Sequence, residues 1–153
     1  MNLINLIRKV NAYPEQVTSE EWVHLLRFRT DYADMPDFSQ FSGQDWAELL
    51  SAQPQFENRA DFSKLGNWDW VLLLKHQPEF VSRLTNITLS NDAIIDILAV
   101  HLWLIHHFKL PTVFTSMDWV QMLIIRPELA DSTCYAVPFD TFEGWDWSQL
   151  LKK

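Results

Sequence analysis

The chain has 153 residues, 48% hydrophobic and 14% aromatic with only three glycines, a composition that excludes disorder and suits one domain with a real core. A net charge of −8, from 20 acidic and 12 basic residues, disfavours direct nucleic-acid binding, and one cysteine excludes an internal disulfide. No stretch approaches the length of a membrane span, so no membrane association is expected, and the reduced cysteine fits a cytoplasmic protein.

Met1–Val10 places Leu3, Ile4, Leu6, Ile7 and Val10 on one helical face, with Arg8 and Lys9 near its end. The basic residues follow the apolar ones, the reverse of a secretory leader, so residues 1–13 are expected to form a capping helix. Beyond it a pattern recurs. Phe38–Phe56 is followed at once by a second copy, Phe62–Phe80, in which Trp70 answers Trp46, Pro78 answers Pro54 and Phe80 answers Phe56 at a spacing of 24 residues. A repeat of this length announces small supersecondary units, each needing a neighbour to bury its apolar face.

In this register Trp22, Trp46, Trp70, Trp119 and Trp147 are each preceded by an acid (Glu21, Asp45, Asp69, Asp118 and Asp146) and followed by apolar pairs such as Leu49-Leu50 and Leu73-Leu74. Trp and the residues three and four places later share one face of a helix, so the tryptophans, with Leu50 and Leu74, are expected to be core. Thr18, Ser42 and Thr115 stand four places before their tryptophans and read as N-caps, with the acid completing a capping box; Ser90 is the equivalent in a degenerate copy centred on Ile94. Gly66 and Glu143 lack a good capping side chain. Each helix should end before Pro54, Pro78 or Pro127, and that proline should open a second short helix. The expected fold is all-α: helix-turn-helix repeats near 14–37, 38–61, 62–85, 86–110 (degenerate), 111–138 and 139–153 (partial), stacked into an α-solenoid-like domain.

Three segments depart from the pattern. Asp31, Asp34 and Asp37 lie between the first two copies; without the alternating ligands and turn glycine of a calcium loop they read as a solvated turn. Asn91–Phe108 lacks the proline and is expected to be one long, mostly buried helix with Trp103 in the core, a segment that could also serve self-association. Its His101, His106 and His107 stand five and six apart, poorly suited to zinc. Asp131–Phe139, with Cys134, reads as an inserted loop.

The motif Asp-Trp-x-x-Leu-Leu-x-x-x-Pro-x-Phe in tandem resembles short helical repeats in predicted proteins of bacteria and their phages, over roughly residues 14–153. The resemblance implies a bacterial or phage origin. Departures are the missing Trp at Ile94 and the missing prolines at Thr30 and Leu102.

No nucleophile–base pair, phosphate-cradling glycine loop or metal spacing appears, so neither enzymatic activity nor a cofactor is expected. Repeat positions are explained by packing and capping, which leaves function to the residues that vary. The reading is a protein–protein interaction module. Its candidate contacts are Trp68 and Trp145, two places before their repeat tryptophans, where tryptophan is an interface residue or a cover for the neighbouring turn. Asp31, Asp34 and Asp37 are added as candidates for a basic partner. The alternative is a small acidic inhibitor, a toxin-immunity protein or a phage-encoded anti-CRISPR or anti-nuclease, docking on a basic protein surface.

Overall fold

The computed structural model describes residues 1–84, 87–108, 114–131 and 137–152. These residues are all-α, with no strand among them, and fall into two compact units, Met1–Arg83 and Leu84–Lys153. The first unit holds helices α1 (Leu3–Ala12), α2 (Ser19–Leu26), α3 (Gly43–Ala52) and α4 (Asn67–His76). The second holds α5 (Asn91–Val100), α6 (Ser116–Ile125) and α7 (Gly144–Leu151). Within each unit every helix packs on the next in chain order, the arrangement of a repeat stack. Short 3₁₀ turns follow five of the repeat helices, at Thr30–Tyr32, Pro54–Arg59, Pro78–Arg83, Leu102–His107 and Pro127–Asp131, and among the described residues a further 3₁₀ turn leads into four of the helices, at Pro14–Gln16, Phe38–Gln40, Phe62–Lys64 and Phe139–Thr141.

The capping residues anticipated from sequence start the helices. Thr18, Ser42 and Thr115 accept the N–H of Glu21, Asp45 and Asp118, whose carboxylates accept the cap N–H in return. Gly66 and Glu143 retain the return half alone: their N–H groups donate to Asp69 and Asp146 at 2.9 and 2.8 Å. Asn2 caps α1, accepting the Asn5 N–H, and α1 packs against α2 as the expected cover.

Trp22, Trp46, Trp70, Trp119, Leu50 and Leu74 are buried. The residue after each tryptophan is buried as well: Val23, Ala47, Val71 and Val120, with Ile95 in the degenerate copy. In α2, α3 and α6, each packed between two neighbouring helices, this position supplies the second flank of a broader apolar face. Phe38 stacks on Trp46 with ring centroids 5.3 Å apart, and Phe62 on Trp70 at 5.9 Å. Phe56 and Phe80 close over these pairs, 6.2 and 5.8 Å from Phe38 and Phe62. The indole N–H groups of Trp46, Trp70 and Trp119 find no acceptor. Their burial is therefore held by ring packing, against a desolvation cost of about 1–3 kcal/mol each.

The long helix expected over Asn91–Phe108 is corrected to two pieces: α5 ends at Val100 and a 3₁₀ turn begins at Leu102. His101, between them, has φ −123° and ψ 75°, the conformation of Gln53 (−136°, 76°), Gln77 (−133°, 74°) and Arg126 (−129°, 73°), each of which precedes a proline. Here the break occurs without one. Leu104 and Ile105 are buried in the 3₁₀ turn, where continued α-helix would carry them to a different azimuth, so their burial selects the break. The same phase turns Trp103 outward, 56% exposed, which corrects its assignment to the core. Pro111 and the proposed loop around Cys134 lie outside the described residues, as does Lys153.

Candidate interaction surface

The backbone leaves two kinds of residue unspent: side chains that tie one repeat to the next, and side chains that face solvent. The first kind forms a ladder. Gln53 Nε2 donates to the Arg27 carbonyl at 2.8 Å, Gln77 Nε2 to the Ser51 carbonyl at 3.1 Å, and Arg126 to the Ala99 carbonyl at 2.6 Å. In each case the residue closing one helix satisfies a C-terminal carbonyl of the preceding repeat's helix, a group that helix leaves without an internal partner. A second rung comes from arginine: Arg59 donates to Asp34 at 2.8 Å and lies over the Phe38 ring, and Arg83 pairs with Glu57 and lies over Phe62. Lys64 Nζ bonds the carbonyls of Ser39 and Phe41, both at 2.8 Å. Asn91 donates to Asp118 at 2.8 Å.

Each acidic candidate has a local partner, although the side chains of Asp31 and Asp34 stay 59% and 90% exposed. Asp31 pairs with Arg29 at 2.7 Å, and that hydrogen bond holds its carboxyl below the usual range. Asp34 is the acceptor for Arg59. Asp37 takes the Ser39 hydroxyl and N–H, capping the 3₁₀ turn Phe38–Gln40, and is likewise shifted down by the hydroxyl's hydrogen bond. The three carboxylates thus serve three local structures. Among the described residues no group of three or more His, Cys, Asp and Glu side chains could hold a metal ion.

The second kind of residue is aromatic or apolar. Trp68 in the first turn of α4 is 62% exposed and Trp145 in the first turn of α7 is 53% exposed. Met117 occupies the same place in α6 and is exposed too, whereas Glu20 and Gln44 fill it in α2 and α3. Trp147 was expected in the core; it is 41% exposed, against 1% for Trp46. Phe139 stacks on it at 5.6 Å with an interplanar angle of 17°, and among the described residues no proline-led turn covers this pair. Beside it, a groove of about 360 Å³ runs between α6 and α7, lined by Leu123, Ile124, Pro127, Ala130, Phe139, Trp147 and Leu150.

In the first unit, a polar groove of about 480 Å³ lies between the N-terminal turns of α2 and α3, lined by residues including Glu20, Gln44 and Glu48. No helix among the described residues is long and apolar enough to cross a membrane. Comparison of the chain with family models, curated proteins and solved structures returns no match.

Proposed function

We propose that the protein is a non-enzymatic protein-binding module whose contacts are made by residues that vary from repeat to repeat. The observation carrying this reading is the position two places before the repeat tryptophan, where Trp68, Met117 and Trp145 expose large apolar side chains on a fold whose other repeat tryptophans, up to Trp119, are buried. Exposed tryptophan is costly in water and is the residue type most often found at the energetic centre of an interface. The partner is a protein, and neither nucleic acid nor a membrane is called for.

A second reading, a small acidic inhibitor of a basic protein, draws on the net charge of −8. It is the weaker of the two, because most carboxylates of the first unit are engaged in caps, Lys9–Glu21 and the arginine rungs rather than gathered on a face. The two separate experimentally. Tagged wild type and a Trp68→Ala/Trp145→Ala variant are used to capture partners from host lysate at low and high salt with nuclease present. The module reading expects a partner retained at high salt and lost with the two tryptophans. A partner lost at high salt and indifferent to the tryptophans would establish the charged inhibitor instead.

A further inference from the structure

We propose that the cleft between the Trp22 and Trp46 repeats receives a lysine and an adjoining aromatic side chain from a basic segment of a protein partner. The inference rests on the reading of the chain as a protein-binding module but not on Trp68 or Trp145, so the cleft and those residues are tested separately.

The first unit contains two junctions built from corresponding positions 24 residues apart, one closed and one open. In the closed junction, between the Trp46 and Trp70 repeats, Phe38 stacks on Trp46 and Arg59 lies over the Phe38 ring. Lys64 Nζ reaches across to the carbonyls of Ser39 and Phe41. Gly43 lets the two backbones meet, since a Cβ there would stand 2.2 Å from the Lys64 carbonyl oxygen. Between the Trp22 and Trp46 repeats the same four positions, those of Phe38, Arg59, Lys64 and Gly43, hold Pro14, Met35, Gln40 and Ser19. Ser19 carries the Cβ that forbids so close an approach, and Pro14 supplies no ring to cover Trp22. Gln40 turns to Asp37 and Ser39, 3.5 and 3.4 Å away, instead of reaching across. The four replacements all line a cleft of about 460 Å³, together with Trp22 and Phe41.

Each replaced part of the closed junction specifies a part of the ligand. An aromatic ring on Trp22 takes the place of the Phe38 ring on Trp46. An ammonium takes the place of the Lys64 Nζ, on the carbonyls of Glu15 and Val17, which accept no hydrogen bond among the described residues. The charged residues lining the cleft, Glu15 and Asp37, are both acidic and both exposed, so a cation is matched by charge as well as by the carbonyls. The aliphatic stem of a lysine suits the apolar side chains of Met35 and Pro14 beside these acceptors.

The test titrates a fluorescent, end-blocked peptide Gly-Phe-Lys-Gly with the whole 153-residue chain and follows anisotropy. The expected result is saturable binding, weakened about tenfold or more when the peptide's lysine is acetylated, which removes the charge-assisted hydrogen bonds. Gln40→Lys gives the chain its own occupant, as Lys64 is in the closed junction, and is expected to weaken peptide binding to a similar degree. Glu15→Lys, at an exposed position, is expected to do the same by charge reversal, with both variants folded by circular dichroism. Trp68→Ala/Trp145→Ala is expected to leave binding unchanged. Absence of saturable binding at millimolar peptide would overturn the proposal, as would equal binding of the acetylated peptide. Lysine-dependent binding indifferent to Gln40→Lys and Glu15→Lys would place the peptide elsewhere on the acidic surface and overturn it too. A concentration-dependent dimer abolished by Gln40→Lys, without peptide binding, would assign the cleft to a second copy, with the same consequence.

Discussion

Gly43 opens α3 at the point where the next repeat's backbone comes closest. A Cβ built there would lie 2.2 Å from the Lys64 carbonyl oxygen and 2.6 Å from an Asp69 carboxylate oxygen. Its counterpart Gly144 in α7 would meet nothing within 4 Å. Gly43→Ala therefore has to push the two repeats apart, and urea unfolding is expected to show a loss of about 1–3 kcal/mol, whereas Gly144→Ala, in the first turn of a helix with open space beside it, is expected to be neutral or slightly stabilising. Equal effects at the two glycines would mean that the close approach is not a determinant of stacking. A second residue-scale expectation concerns pH. Lys9 donates two hydrogen bonds to Glu21, at 2.8 and 2.7 Å, and with the Thr18 N–H these hold its carboxyl below the ordinary value. Because the folded pKa lies below the unfolded one, the stabilisation is fully present above the unfolded value and disappears as pH falls through the folded value. Glu21→Gln should thus lower stability at pH 7 and flatten its decline on acidification below about pH 4.5. Unfolding curves collected from pH 7 to 3 check this; an unchanged slope would remove Glu21 from the acid response.

At the scale of the element, the unit of construction is an α-helix, one residue near φ −130° and ψ 75°, and a 3₁₀ turn. Much of this was legible. The tryptophan and the apolar residues three and four places on, the Thr and Ser caps and the stop before proline each leave a residue-type signature at fixed spacing. What escaped has physical reasons. The buried position after the tryptophan holds Val, Ala or Ile, types equally at home on an exposed flank, so its burial in α2, α3 and α6 follows only from helices packing on both sides. The break after Val100 carries no proline signature, because proline only favours a break that the burial of Leu104 and Ile105 already requires. Trp103 is exposed because it sits on the outward phase of the 3₁₀ turn, a phase that the helical spacing of the sequence does not announce. The break at His101 makes a specific expectation. Leu102→Pro should leave stability within about 1 kcal/mol of wild type, since proline is preorganised for the first position of a helical turn. In a continuous helix over Asn91–Phe108 the same change would cost about 3 kcal/mol or more, and thermal unfolding distinguishes the two.

At the scale of the molecule, the two units share one code, in which each repeat is read by the next through a side chain reaching back to a helix-terminal carbonyl. Gln53 and Gln77 perform this in the first unit and Arg126 in the second, so the residue type changes while the contact persists. Apart from this ladder, Asp31, Asp34 and Asp37 each have a side-chain partner, Arg29, Arg59 and Ser39. The proposed recognition surface is apolar, with Trp68 and Trp145 exposed on first helical turns. Trp68 and Trp145 stand out in the sequence as tryptophans outside the repeat positions, and the structure adds that both are exposed.

The division between residues spent on the fold and residues left for recognition is most directly tested within α4, where Trp68 and Trp70 lie two positions apart on opposite sides of that line. The measurement is urea unfolding of Trp70→Ala beside Trp68→Ala. Trp70→Ala is expected to lose about 3–5 kcal/mol through the cavity it opens under Phe62 and Phe80, and Trp68→Ala to unfold within about 0.5 kcal/mol of wild type. A Trp70→Ala protein as stable as wild type, or a Trp68→Ala protein destabilised to the same extent, would contradict the repeat register and with it the assignment of Trp68 to a partner.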